Sequence, residues 1–115
     1  MTMDALEVVR AFNEAWMAHD LEGTLAMMTD DARFESTGPF PDGTLHVGHD
    51  AIRAAWAEIF ANTTSRFIEE ETLAAGPDAA VFRWTYDWGD GHIRGIDLFK
   101  VRDGKVSEKL SYVKG

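Results

Sequence analysis

Two ionisable residues near the C-terminus, Asp97 and Lys109, fall where the surrounding pattern calls for apolar side chains. Alternate residues of an extended stretch share a face, so Ile93, Gly95, Asp97, Phe99 and Val101 project to one side and Arg94, Ile96, Leu98 and Lys100 to the other. Asp97 belongs to the otherwise apolar set. A carboxylate enclosed by apolar groups loses hydration, which favours its neutral form and suits it to proton transfer or to donating a hydrogen bond while protonated. Where Lys109 stands depends on the turn before it. A three-residue loop, Arg102-Asp103-Gly104, with Gly104 in the left-handed region puts Lys109 opposite Asp97, whereas a two-residue Asp103-Gly104 turn puts Leu110 there. The first register is preferred because it gathers Leu110 and Tyr112 with Ile96 and Leu98 into one apolar patch on the outer face. That patch is large enough to predict a homodimer interface. An inward Lys109 holds Asp97 ionised, either as a catalytic partner or as a structural counterion, and the sequence leaves both roles open.

The preceding stretch supplies an apolar wall. Phe82, Trp84, Tyr86 and Trp88 alternate with Arg83, Thr85 and Asp87, which places four large aromatics on one face. Such a row is either plain core or the side of a ligand cavity. Trp16 and Trp56, from helical segments, add bulk to the same interior. The tyrosine and tryptophans carry polar tips that need partners, and Asp97 brings a charge, so a cavity is expected. His46 and His49 lie three apart with no third ligand evident, so no metal site is expected. His19 and His92 read as surface residues. Glu69, Glu70 and Glu71 must alternate faces in a strand and read as a solvated edge. No phosphate-cradling glycine loop, nucleophile elbow or dinucleotide fingerprint is present, and no cofactor is expected.

The elements that must position these residues are legible from period and punctuation. Thr2 is placed to cap a first helix carrying Ala5, Val9, Phe12 and Trp16 along one stripe. Asp20 caps a short second helix carrying Leu21, Leu25 and Met28, which Thr29, Asp30 and Asp31 end. A strand is expected over roughly residues 33–37. The prolines and glycines between Gly38 and Gly48 specify a loop able to cover a pocket mouth. A third helix carries Ile52, Ala55, Trp56, Ile59 and Phe60. After Ser65 the period becomes two, predicting strands near 66–73, 79–88, 92–101 and 105–113, separated by Gly76-Pro77-Asp78, Gly89-Asp90-Gly91 and Asp103-Gly104. Helices followed by an antiparallel run define an α+β domain with the helices on one face of the sheet.

Composition narrows the partners. With 115 residues, 45% of them apolar, the chain is expected to form one domain, residues 1–115. It has no cysteine, which excludes disulfides, thiolate metal sites and cysteine nucleophiles and favours a cytoplasmic home. A formal charge of −9 argues against nucleic acid and against an anionic membrane surface. No segment has the length of a membrane span, and charges in the first twenty residues mark an amphipathic helix, not a signal sequence.

Three segments, in this order, carry a family resemblance: Asp30-Asp31-Ala32-Arg33-Phe34-Glu35, Val47-Gly48-His49-Asp50-Ala51-Ile52, and Ile96-Asp97-Leu98-Phe99 followed by Val101-Arg102-Asp103-Gly104-Lys105-Val106. Nearly the whole chain resembles the nuclear transport factor 2-like superfamily, in particular its SnoaL-like and ketosteroid isomerase-like members. The resemblance implies a cone-shaped, strongly curved antiparallel sheet packed on three N-terminal helices, a cystatin-like α+β barrel with a pocket at its open end and frequent dimerisation through sheet faces. It places Asp97 where ketosteroid isomerases keep a protonated acid that donates to an oxyanion. Their general-base aspartate falls on Ser36 and their oxyanion tyrosine on Phe12, so that mechanism is not expected here. SnoaL-like cyclases use acid–base residues of the same pocket for ring closure, a role compatible with Asp97.

The expected function is therefore acid–base chemistry on a small apolar cyclic molecule, of isomerase, cyclase or hydrolase type. Asp97 and Lys109 are the candidate catalytic pair. Phe12, Trp16, Phe34, Ser36, Trp56, Phe82, Trp84, Tyr86 and Trp88 are the candidate substrate contacts. The alternative is a non-catalytic homodimeric ligand-binding protein of the same fold. A transport adaptor rests on fold analogy alone.

Overall fold

The computed structural model describes residues 4–114. The element order is α1 (Ala5–Met17), α2 (Leu21–Ala26), β1 (Met28–Glu35), β2 (Leu45–Val47), α3 (His49–Ala61), β3 (Arg66–Ala74), β4 (Ala79–Asp87), β5 (His92–Arg102) and β6 (Lys105–Val113). Thr2 lies outside the described residues, and α1 is capped by Asp4, whose Oδ1 accepts from the Glu7 N–H at 2.9 Å. Ala5, Val8, Val9, Phe12 and Trp16 form the buried stripe of α1, and Asp20 caps α2 through the Gly23 N–H. Met28 and the residues Thr29 to Asp31 belong to β1 and not to α2 or its end. Gly48 offers α3 no side-chain cap. Instead, the Nε2 of His49 lies 3.2 Å from the Met28 carbonyl and 3.1 Å from that of Thr29, tying the start of α3 to β1.

The six strands form one curved sheet in the order β2-β1-β6-β5-β4-β3. Every neighbouring pair is antiparallel except β1 and β6, which run parallel, so the sheet is mixed at this junction and not wholly antiparallel. The loop expected between Gly38 and Gly48 contains the short edge strand β2, paired with β1 through Phe34 and His46. Helix α1 packs on β3, β4, β5 and β6, and α3 on β1 and β2. Between them Phe12 meets Trp56 and Phe99 edge-on with ring centroids 5.9 and 5.5 Å apart.

The β5–β6 hairpin sets the register of the candidate catalytic pair. Asp103 and Gly104 form a two-residue turn with φ of 55° and 75°, the left-handed pair such a turn requires, and Arg102 pairs with Lys105. An irregularity follows: Val101 pairs with Val106 but Lys100 pairs with Glu108, leaving Ser107 as an extra residue whose Oγ donates to the Lys100 carbonyl at 3.1 Å. This bulge shifts the register by one more residue. Asp97 consequently lies opposite Ser111, and Lys109 opposite Phe99. Neither Lys109 nor Leu110 faces Asp97 directly. The two one-residue offsets nevertheless keep Lys109 on the inner face and pair Leu98 with Leu110 and Ile96 with Tyr112 on the outer one.

Peripheral ion pairs join the elements. Arg53 binds Glu22 through two guanidinium nitrogens at 2.9 Å and holds that carboxyl below its usual range, and Arg94 does the same to Glu70 by a hydrogen bond at 3.2 Å. Arg102 hydrogen-bonds Asp31 with the same consequence. These exposed pairs add little to stability. No helix among the described residues is long and apolar enough to cross a membrane.

Candidate functional site

A cavity of about 230 Å³ opens between the ends of β1, α3 and the β3–β6 strands. Its walls are aromatic. Trp16 comes from α1, Phe34 from β1, Phe67 from β3, and Trp84 and Tyr86 from β4, while Asp97, Lys109 and Ser111 supply the polar groups. Parity explains the selection: β4 and β5 turn alternate residues inward, and Lys109 and Ser111 share the inner face of β6. The Trp84 indole crosses β5 at Gly95, where a Cβ would lie 2.4 Å from the ring and 2.5 Å from the Tyr112 carbonyl oxygen. Only glycine at position 95 lets the ring occupy that part of the wall.

Asp97 and Lys109 are both buried, with 3% and 4% of their surface exposed. The Lys109 Nζ lies 3.1 Å from Asp97 Oδ2 and 3.4 Å from Ser111 Oγ, to which it donates. The same nitrogen sits 4.3 Å from the centre of the Trp16 ring and 5.0 Å from that of Phe34, with Trp56 and Phe99 near 6 Å, so four aromatic rings surround the ammonium. Among the described residues the second carboxylate oxygen, Oδ1, has no hydrogen-bond partner, and neither has the Trp84 Nε1–H. Buried polar groups are normally paired. Both atoms belong to side chains that line the cavity, whereas the equally unpaired Trp56 Nε1–H and Asn13 amide do not. A larger groove of about 330 Å³ on the outer face lies beside Arg83, Arg94 and Glu70, but these side chains largely pair with one another.

Of the residues singled out in the sequence, Trp16, Phe34, Ser36, Trp84, Tyr86, Asp97 and Lys109 line the cavity. Phe12, Trp56 and Phe82 are core residues behind the wall, with at most 1% of their surface exposed. Trp88 lies beyond the end of β4 and is 44% exposed, so the aromatic row reaches the cavity only through Trp84 and Tyr86. Ser36 has its hydroxyl engaged in the loop: Oγ donates to the Gly38 carbonyl at 2.8 Å and accepts from the Thr44 N–H at 3.0 Å. Sequence reading passed over Thr37, Ile59, Phe67 and Ser111 as lining residues, and Ile93, though placed on the inner face. Phe67 gave an ambiguous signal because β3 carries charges on both faces, its burial pattern being broken by an irregularity between Glu69 and Glu71. The outlying histidines do other work. His46 stacks on Phe34 at 5.6 Å and His19 on Phe60 at 5.2 Å.

The profile of the SnoaL-like domain matches residues 9–109. The chain belongs to the SnoaL-like domain family. An NTF2-like protein of unknown function from Mesorhizobium loti is 38% identical, over 95% of this chain and 89% of that one, with a TM-score of 0.85. A Mycobacterium tuberculosis protein in complex with estradiol-17beta-hemisuccinate is 26% identical over 94% of this chain and 92% of that one, TM-score 0.76. A putative ketosteroid isomerase from Kribbella flavida shares the fold at 18% identity, covering 96% of this chain and 78% of that one, with a TM-score of 0.82. No curated protein matches the sequence. In this SnoaL-like domain the position that the ketosteroid isomerase resemblance assigns to an oxyanion tyrosine, Phe12, lies in the packed core away from the cavity.

Proposed function

We propose that this SnoaL-like domain admits a small, mostly apolar, ring-containing molecule at its open end and carries out acid–base chemistry on it through Asp97, in an isomerase, cyclase or hydrolase type of reaction. The observation that supports the reading is the split environment of one carboxylate. Oδ2 is held by Lys109 while Oδ1 is buried without a partner among the described residues, on a side chain that lines the cavity. A carboxylate with one oxygen fixed and one free is oriented for proton exchange with a bound molecule. The cavity, about 230 Å³, lies below the roughly 300–1,000 Å³ of drug-sized ligand sites. The enclosed part of the ligand is accordingly one or two rings, with any remainder at the mouth near Ser36 and Thr37.

The Asp97→Asn variant tests this on a panel of cyclic ketones and polyketide-like compounds. Asparagine keeps the shape and an acceptor for Lys109 but cannot exchange the proton, so turnover falls by about 10²–10⁴-fold while binding persists. Unchanged turnover in the variant removes Asp97 from the chemistry. The second reading, a non-catalytic ligand-binding protein, is favoured by Ser36, whose hydroxyl is committed to the loop where the resemblance places a base. It predicts binding without turnover in the wild type on the same panel.

We further propose that a second copy of the chain covers the outer sheet face. Ile96 and Tyr112, paired across β5 and β6, leave 38% and 54% of their surface exposed beside Leu98 and Leu110. Light scattering at micromolar concentration is expected to give twice the chain mass, and the monomer mass alone would remove the interface.

A further inference from the structure

The Lys109 amine is placed for more than neutralising Asp97. We propose that Lys109 is an imine-forming amine, and that the molecules entering the cavity are small aldehydes or ketones. The proposal rests on the reading that ligands occupy this cavity and adds what they are and which atom holds them. Lys109 lines the cavity, its amine stands among four aromatic rings, and its nearest protein partner is a carboxylate oxygen at 3.1 Å. A purely structural counterion has no need of a cavity or of a carboxylate with its other oxygen free.

The chemistry follows from that placement. An apolar ligand entering the cavity displaces water, and the first step passes one proton from Nζ to Oδ2 across the 3.1 Å contact, freeing the amine. The amine nitrogen then attacks the carbonyl carbon, forming the C–N bond as the C=O π bond opens, and the oxygen takes a proton from that nitrogen to give the neutral carbinolamine. Asp97 returns its proton as the carbinolamine expels that oxygen as water. The sum is ammonium plus carbonyl compound giving protonated imine plus water, with Asp97 a carboxylate at both ends. The product is again a cation at the Lys109 nitrogen, so the rings and the carboxylate that stabilise the ammonium stabilise it equally. From the iminium, Oδ1, the carboxylate oxygen that Lys109 does not hold, removes a proton from the adjacent carbon, leaving an enamine and a protonated Asp97. This also accounts for the aromatic residue at position 12. An iminium is its own electron sink and needs no oxyanion donor. Ser111 Oγ, 3.4 Å from the amine, is the nitrogen's second polar contact.

Lysine usage makes the test clean, since Lys109 is buried and Lys100, Lys105 and Lys114 are exposed. The 115-residue chain is incubated with benzaldehyde or cyclohexanone at neutral pH, reduced with borohydride and mapped by peptide mass spectrometry. Benzyl alcohol, which cannot condense, reports occupancy separately by saturation-transfer NMR. The expected result is one reduced adduct per chain, on Lys109, and its loss in Lys109→Met and in the charge-free double variant Asp97→Asn/Lys109→Met. The double variant guards against a single variant that fails to fold, and the wild-type peptide map decides the matter without either. Benzyl alcohol binding with no adduct, or with adducts confined to the exposed lysines, overturns the imine and leaves the pocket. Absence of both binding and adduct overturns the pocket and the imine together.

Discussion

Replacing Asp97 with alanine is expected to lower the midpoint of thermal unfolding by about 10–20 °C, the shift that a loss of about 3–5 kcal/mol produces in a domain of this size. The loss arises on Lys109. Lys109 is 4% exposed, the only charged neighbour of its amine within 4 Å among the described residues is Asp97, and its other polar contact is the weak one to Ser111. Removing the carboxylate leaves an ammonium in a nearly dry site, and the surrounding rings return only about 0.5–2 kcal/mol of the lost attraction. The pair itself need not be stabilising, because desolvating both charges offsets much of their mutual attraction. The double variant Asp97→Asn/Lys109→Met, which removes both charges at similar volume, therefore melts close to the wild type. Scanning calorimetry of Asp97→Asn, Lys109→Met and the double variant completes the cycle. Additive losses would show that the two residues are not each other's counterions. The orientation of Asp97 would then need a cause other than its pairing with Lys109.

The parts of this arrangement that could be read in the sequence are those governed by local rules. Strands β3 to β6 were placed to within a residue at each end because Gly76-Pro77-Asp78, Gly89-Asp90-Gly91 and Asp103-Gly104 punctuate a clear period of two. The inward direction of Asp97 needed only parity. What the sequence did not carry was set by pairing between distant segments. Met28 continues the helical spacing of Leu21 and Leu25, yet the backbone there joins β1 because β6 lies alongside, Met28 pairing with Val106. Strand β2 is only three residues long and turns its apolar residues, Leu45 and Val47, outward at the sheet edge with His46 between them, so its pairing with β1 and not a buried apolar face holds it. Lys109 reached the inner face by a route the turn could not disclose. The turn is the two-residue form that would have faced Lys109 outward, and the extra residue at Ser107 restores it. Nothing in Val106-Ser107-Glu108 announces a bulge. The cavity wall shows the same division, since alternation predicts which side of β4 Trp88 would take but not that β4 ends at Asp87.

Trp16 and Trp88 provide the second large contrast. Trp16 is 3% exposed, meets Trp56, Phe60 and Phe67 edge-on at 4.8–5.3 Å, and presents its face to the Lys109 amine while lining the cavity. Trp16→Ala removes contacts to α3 and β3 together with the cage wall, and relaxation cannot fill the space because the neighbours come from separate elements. The expected loss is about 3–5 kcal/mol in urea denaturation. Trp88 is 44% exposed and touches Tyr86 at 6.2 Å and the Gly89-Asp90-Gly91 turn. Its replacement by alanine costs under about 1 kcal/mol, as expected for a surface side chain. The two variants should differ in binding as well: benzyl alcohol occupancy is lost or redistributed in Trp16→Ala and unchanged in Trp88→Ala. Equal effects would mean that the aromatic row continues as one wall through residue 88, making the cavity longer than its present boundary at Tyr86. It would then enclose a ligand larger than one or two rings.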